Sequence, residues 1–310
     1  LMTNSTELRY YASIKQNFFN IVRRPQIAPI PFYLVGFFLL DYFNAKSTGQ
    51  TFFTNWYLPQ GLNLAFLLLA GEIYAPFVFG ALLLVNLFNY GLTFSFSTLA
   101  ATLITSMSCT LASIILKKVF RLNLKTASMR DVRNFLLVAI LVPIPTALLV
   151  VYILSFQIPM TTDQFLLNAH NITLGDSTGI IVMTPFLLIC HQRWHSLSNW
   201  KVFRENLYRN LRLGLCTLLS FTLIAVVALF SFGLFYQSDY HTFYFNLFPL
   251  IFIAFLFRFK ATTLIILFFN LLIILVQHAF PETAISPLTF ELNLFMHSYA
   301  VAGLLLSIAA

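Results

Sequence analysis

Long unbroken runs of apolar residues, separated by short polar stretches, fill this chain from about residue 27 to its last residue. The runs do not alternate residue by residue, so they predict helices and exclude the dyad pattern of a transmembrane barrel. Ten segments are expected, at roughly 27–45, 56–71, 73–90, 95–116, 134–156, 173–191, 213–236, 243–257, 261–279 and 291–310. A helix crossing a bilayer needs about 20 apolar residues. Segments two, three and eight fall short of that and are expected to be tilted, half-buried or shielded by neighbours. The expected fold is an all-α polytopic transmembrane bundle of about ten spans, or about eight if segments two and three form one re-entrant hairpin.

Composition sharpens the class. Hydrophobic residues make up 59% of the chain and charged residues 9%, with a mean hydropathy of +0.83. A soluble domain is about a quarter charged, so a water-facing globule is excluded. The net charge of +8 raises nucleic acid as a partner, but the basic residues gather in short segments between apolar runs, and no nucleic-acid motif is present. With a cytoplasmic amino terminus, the inner segments are 1–26, 71–72, 117–133, 192–212, 258–260 and the carboxyl end. They hold every Lys and Arg except Lys46, which predicts ten spans with both termini in the cytoplasm. Residues 1–26 read as a cytoplasmic amphipathic segment and 27–310 as one integral-membrane domain. The loops "KKVFRLNLKTASMRDVR" and "HQRWHSLSNWKVFRENLYRNLR" are basic with interleaved aromatics. They suit anionic lipid headgroups, or else a cytoplasmic docking partner. The chain opens on Leu1 and closes inside the apolar "AGLLLSIAA", so a piece of a longer protein that continues into the cytoplasm is expected.

Catalytic and metal chemistry find little footing. Cys109, Cys190 and Cys216 have no CxxC partner, and the six histidines show no helical pairing within a span. His191 and His195 stand four apart, but at the cytoplasmic edge. No GxSxG, HExxH or Walker loop occurs. No cofactor is expected, and this chain is not expected to be an enzyme.

Ionisable groups inside a bilayer are costly and mark function or tight packing. Asp41, Glu72, Asp176, Glu291 and His297 are the candidates. Asp176 stands in Gly175–Gly179, a GxxxG spacing that lets another helix come close. Expected to open segment six, it reads either as a helix N-terminal cap or as a ligand contact. In "NWYLPQGLN", Pro59 favours a helix start and Gly61 clears space for a helix or a ligand. Trp56 and Tyr57 suit the interfacial aromatic belt; alternatively Trp56, Gln60 and Asn63 form a pocket wall. Thr102, Thr105, Ser106, Ser108, Thr110 and Ser113 give segment four a small polar face for close packing. Asn86, Asn89, Asn270 and Gln277 are expected in interhelical hydrogen bonds, and Pro143, Pro145, Pro185 and Pro249 at kinks.

Taken together, "NWYLPQGLNLAFLLLAGEIYAPFVFGALLLVN" resembles the signature of the type-one MASE family, membrane-associated sensor domains of bacterial signalling proteins. Tyr74, Pro76 and Gly80 continue that signature. Gly175, Asp176, Gly179, Thr184 and Pro185 fit its second motif, and Pro249 with "FRFKATT" a third, weaker one. Tyr57, Leu58 and Pro59 stand where the family has Trp-Pro-Pro, and Thr173 and Leu174 where an aromatic often precedes the Gly-Asp pair. The resemblance implies a sensory input module of the bacterial inner membrane, without catalysis of its own. It implies a cytoplasmic output in cis: a diguanylate cyclase, a phosphodiesterase, PAS domains or a histidine kinase. Ligand contacts are expected from Trp56, Pro59, Gln60, Gly61, Asn63, Gly175, Asp176 and Gly179. The signal is an unidentified small molecule or membrane protein, segment ten the transmitter, and a homodimer the expected assembly. Rival readings are a small-molecule transporter or substrate-capture subunit, a lipid-acting enzyme using Asp176, Glu72 or His170, and a scaffold for another membrane protein.

Overall fold

A computed structural model describes residues 29–47, 56–122, 128–197, 250–251, 254, 259, 262–272 and 287–309. The expectations for segment seven, Pro249, Gln277, Cys216, residues 1–26 and most of the 192–212 loop lie outside the described residues. Among the described residues, every regular element is helical.

Local signals set most boundaries. Helix α1 (Pro29–Ser47) is followed by α2 (Leu58–Ala70), which carries Pro59 in its first turn, where the missing N–H is harmless. Gly71, at φ 111°, ends α2 in a backbone region that side chains disfavour. A 3₁₀ turn (Glu72–Tyr74) then leads into α3 (Ala75–Phe88). Ser95 caps α4 (Phe96–Ile114) by accepting the Thr98 N–H, and α4 runs on into a π-helical turn (Ile115–Val119). Ser128 caps α5 (Met129–Leu141) on the Asp131 N–H, at 3.2 Å. The prolines of segment five divide it at Val142, and α6 (Pro143–Leu154) follows directly. Helix α7 (Thr162–Leu197) and helix α8 (Pro287–Ala309) complete the numbered helices, with a further helical stretch at Thr262–Leu272.

Helix α7 corrects the expectation for segment six. It begins at Thr162, eleven residues before the predicted start, and runs for 36 residues. The signal is a capping box. The Thr161 N–H donates to Gln164 Oε1 (2.9 Å), and the Gln164 N–H donates to Thr161 Oγ1 (3.3 Å). At about 54 Å, α7 exceeds the ~30 Å hydrocarbon layer. Asp176 therefore sits fourteen positions past Thr162, in the helix interior, and is not an N-terminal cap.

Phe96–Val119, Met129–Leu154 and Thr162–His191 are each long and apolar enough to cross a membrane. At 13 and 14 residues, α2 and α3 are shorter. The surface is turned outward for lipid. Phe32, Ile73 and Phe96 are at least 80% exposed, while Asp41, Asn63, Thr98 and Thr184 are fully buried. Helix α7 is the hub, packing on α2, α5, α6 and α8; α4 packs on α2, α3 and α6. The main apolar core joins Leu58, Phe135, Ile181, Phe295 and Tyr299, and a second joins Tyr33, Phe37, Phe66, Val78 and Val85.

Polar contacts tie the helix ends. At one end, Ser95 Oγ donates to Gln157 Oε1 at 3.0 Å. At the other, Lys117 Nζ donates to the Leu67 carbonyl at 2.8 Å and lies 3.7 Å from Glu72 Oε1. Lys117 thereby caps the carboxyl end of α2, where unpaired carbonyls carry partial negative charge. Lys117→Met should lower the unfolding free energy by about 1 kcal/mol in a denaturant titration. Glu72's own backbone N–H, then Lys117 and Lys118, hold its carboxyl below the usual carboxylate range. A folded value below the unfolded one adds stability above the ordinary glutamate value of about 4.3. That contribution fades as pH falls through the folded value, so the difference between wild type and Glu72→Gln should shrink in acid.

Candidate functional site

The two stretches singled out in the sequence meet. The Tyr57 N–H donates to the Gly175 carbonyl at 3.1 Å, and Thr184 Oγ1 donates to the Gly61 carbonyl at 2.9 Å. A Cβ on Gly61 would overlap the Gly179 carbonyl, and one on Gly179 would overlap the Tyr57 carbonyl. The glycines thus let the start of α2 and the middle of α7 touch backbone to backbone. The space they clear is filled by protein. Ser177, beside them, donates to the Ala139 carbonyl of α5 at 2.9 Å.

The other expected ligand residues on α2 point elsewhere. Asn63 Nδ2 donates to Gln60 Oε1 (3.2 Å), and Tyr33 OH of α1 donates to Asn63 Oδ1 (2.8 Å). Pro59 is buried in the first turn. Trp56 packs on the main core, and its indole nitrogen is enclosed without a hydrogen-bond partner among the described residues. Asp176 faces another way, into a partly enclosed cavity of about 50 Å³. Its walls are Tyr57 from the entrance to α2, Asn86 and Tyr90 at the end of α3, Thr102 and Thr105 of α4, and the apolar Leu82, Val150 and Ile172. Asp176 is 5% exposed, and no hydrogen bond to its carboxylate occurs among the described residues.

Behind that wall lies a second carboxylate. Asp41 is fully buried on α1 and accepts Tyr57 OH (2.9 Å) and Tyr90 OH (3.4 Å) on Oδ1, and Asn89 Nδ2 (2.7 Å) on Oδ2. Asn44 Nδ2 donates to Tyr90 OH at 3.0 Å. Asn86 Nδ2 donates to Thr102 Oγ1 at 2.9 Å, the interhelical bond expected of it, and Asn89 also bonds between helices. Among the described residues Asn270 does not: its amide donates to the Ile266 carbonyl one turn back. The polar face of α4 also turns mostly inward on its own helix. Thr102, Thr105 and Thr110 donate to carbonyls four residues earlier, while Ser106 reaches the Ala75 carbonyl of α3.

On its other flank, α7 touches α8. Thr178 Oγ1 and His297 Nδ1 lie 3.1 Å apart, two residues beyond Asp176. Below them, Tyr299 stacks on Phe269 with ring centroids 4.3 Å apart. Sequence reasoning found Asp176 but missed Tyr90, Thr102 and Thr105 as cavity wall, since each reads alone as a helix-surface or packing residue. Among the described residues, no group of three or more His, Cys, Asp or Glu is placed to hold a metal ion.

The profile of the MASE1 family matches residues 26–310. No curated protein and no solved structure matches the chain.

Proposed function

From the premise that this chain belongs to the MASE1 family of membrane-associated sensor domains, we propose that it senses at the Asp176 cavity and reports through α8. Family membership and the apolar helices make it a multi-pass membrane sensory input domain. The finer reading is ours. The domain sits in a bacterial inner membrane, works as a homodimer, and drives a cytoplasmic output in cis, either cyclic-di-GMP turnover or a histidine kinase. What carries this reading is one helix with two contacts: α7 presents Asp176 to the cavity and Thr178 to His297 of α8. A ligand that fits the cavity better in one arrangement of α7 shifts the helix against α8. Without such a difference in affinity nothing is transmitted.

The test measures output activity of the full-length gene product in membranes. Thr178→Val and Asp176→Asn should each shift output by about fivefold or more, the lower range of allosteric coupling. Leu149→Ala, on the half-exposed lipid face of α6, should leave it unchanged. Wild-type output from both Thr178→Val and Asp176→Asn would overturn the proposal.

A further inference from the structure

The cavity beside Asp176 offers acceptors and a negative charge, and the hydroxyl protons around it are committed elsewhere. Thr105 Oγ1 gives its proton to the Ala101 carbonyl (3.0 Å), and Thr102 Oγ1 gives its proton to the Thr98 carbonyl (2.7 Å). Tyr57 and Tyr90 give theirs to Asp41. Asn86 spends an amide hydrogen on Thr102, which leaves its carbonyl oxygen as the remaining acceptor. What Tyr57, Thr102 and Thr105 have left is lone pairs, and Asn86 keeps one amide N–H beside its carbonyl oxygen. Among the described residues no Lys, Arg or His lines the cavity, so an anion finds no counter-charge from them there.

Size narrows the occupant. At about 50 Å³ the enclosed space is a third of the ~150 Å³ that admits benzene, and it holds a few waters at roughly 10–15 Å³ each on the same measure. A whole sugar, nucleotide or amino acid exceeds that enclosed part. Charge narrows it further. An ionised carboxylate enclosed without a partner is unfavourable, and either a proton or a cation relieves it. A single positive charge neutralises Asp176. A divalent ion such as Mg²⁺ gives up its water reluctantly and asks for near-ideal octahedral oxygen ligation, which a wall shared with Leu82, Val150 and Ile172 does not supply. We propose that the cavity is a binding site for a small monovalent cation, an alkali-metal ion or an ammonium group, held by the Asp176 carboxylate and the oxygens of Tyr57, Asn86, Thr102 and Thr105. The site stands on this geometry and rests on the sensory reading only for its role as the sensed signal.

The chain is reconstituted in lipid nanodiscs and its thermal unfolding followed at constant ionic strength. Chlorides of sodium, potassium, ammonium and methylammonium are compared with choline chloride, whose cation is too large to enter. At least one small cation should raise the midpoint saturably, by about 3 °C or more, while choline does not. Alkali ions acting alone identify a metal-ion site; ammonium and methylammonium acting alone identify an amine site. Asp176→Asn should lose the shift, and Thr105→Val, which keeps the wall's shape, should weaken affinity about tenfold. If no small cation differs from choline in the wild type, Asp176 is held neutral and the site is overturned. A full shift in Asp176→Asn overturns it too. Those results leave the relay through Thr178 standing. A site that fills while output stays flat keeps the binding claim and removes the sensory role.

Discussion

Gly179→Ala should lower the unfolding free energy by about 3 kcal/mol or more, the upper range for overpacking a tight contact. The added methyl would overlap the Tyr57 carbonyl oxygen, with Leu58 Cα only 3.2 Å away. Both obstacles are backbone, so no rotamer change relieves the clash, and α2 must move off α7. Gly61→Ala meets the Gly179 carbonyl and Met183 Cβ in the same contact and should fall by a similar amount. The double variant should lose less than the two added together, because one separation of the helices relieves both overlaps. Gly80→Ala is the control. Nothing lies within 4 Å of its added Cβ, and alanine in a helix interior is favoured over glycine by up to about 1 kcal/mol. Denaturant unfolding in micelles separates the cases. A Gly179→Ala protein as stable as Gly80→Ala would mean that the crossing is loose and that the glycine spacing is there for a ligand.

The apolar runs were legible because lipid removes the need for a polar surface, so hydropathy marks the spans almost directly. The meeting of "NWYLPQGLN" with Gly175–Gly179 was also legible in outline, since small residues one turn apart signal a close helix crossing. What hydropathy hid was the first third of α7. Asp163, Gln164, Asn168 and His170 look like loop, yet they follow the Thr161–Gln164 capping box into regular helix. That one boundary moved Asp176 from a helix end to a helix interior and changed the meaning of its carboxylate. The cavity itself was illegible for another reason. Its wall comes from α3, α4, α6, α7 and the entrance to α2, and no local pattern says which polar side chains will converge. Asn86 was assigned the right kind of bond, and Thr102 a packing face, without any sign that the bond between them frames a space.

Asp41→Ala should be the second severe substitution, at about 3 kcal/mol. Asp41 was visible as an ionisable residue in segment one, but its partners are 16, 48 and 49 positions away. Removing the carboxylate strands the Tyr57 and Asn89 donors and takes one acceptor from Tyr90, and a buried donor without an acceptor costs about 1–3 kcal/mol. Asp41→Asn should be milder, because one amide oxygen can still take a proton while its NH₂ opposes the remaining donors. Tyr57→Phe removes one donor and should cost about 1 kcal/mol alone, but less in the Asp41→Ala background, where that hydroxyl is already unpaired. The cycle separates a working network from a mere packing site: additive losses would show that Asp41 and Tyr57 do not depend on each other. The cavity adds a second readout. With Asp41 gone, the Tyr57 phenolic proton can turn toward Asp176 and compete with an incoming cation. Cation affinity should then fall in Asp41→Ala even though every oxygen lining the cavity is still present. An affinity equal to wild type in a folded Asp41→Ala protein would show that the Tyr57 phenol does not need Asp41 to keep a lone pair facing the site.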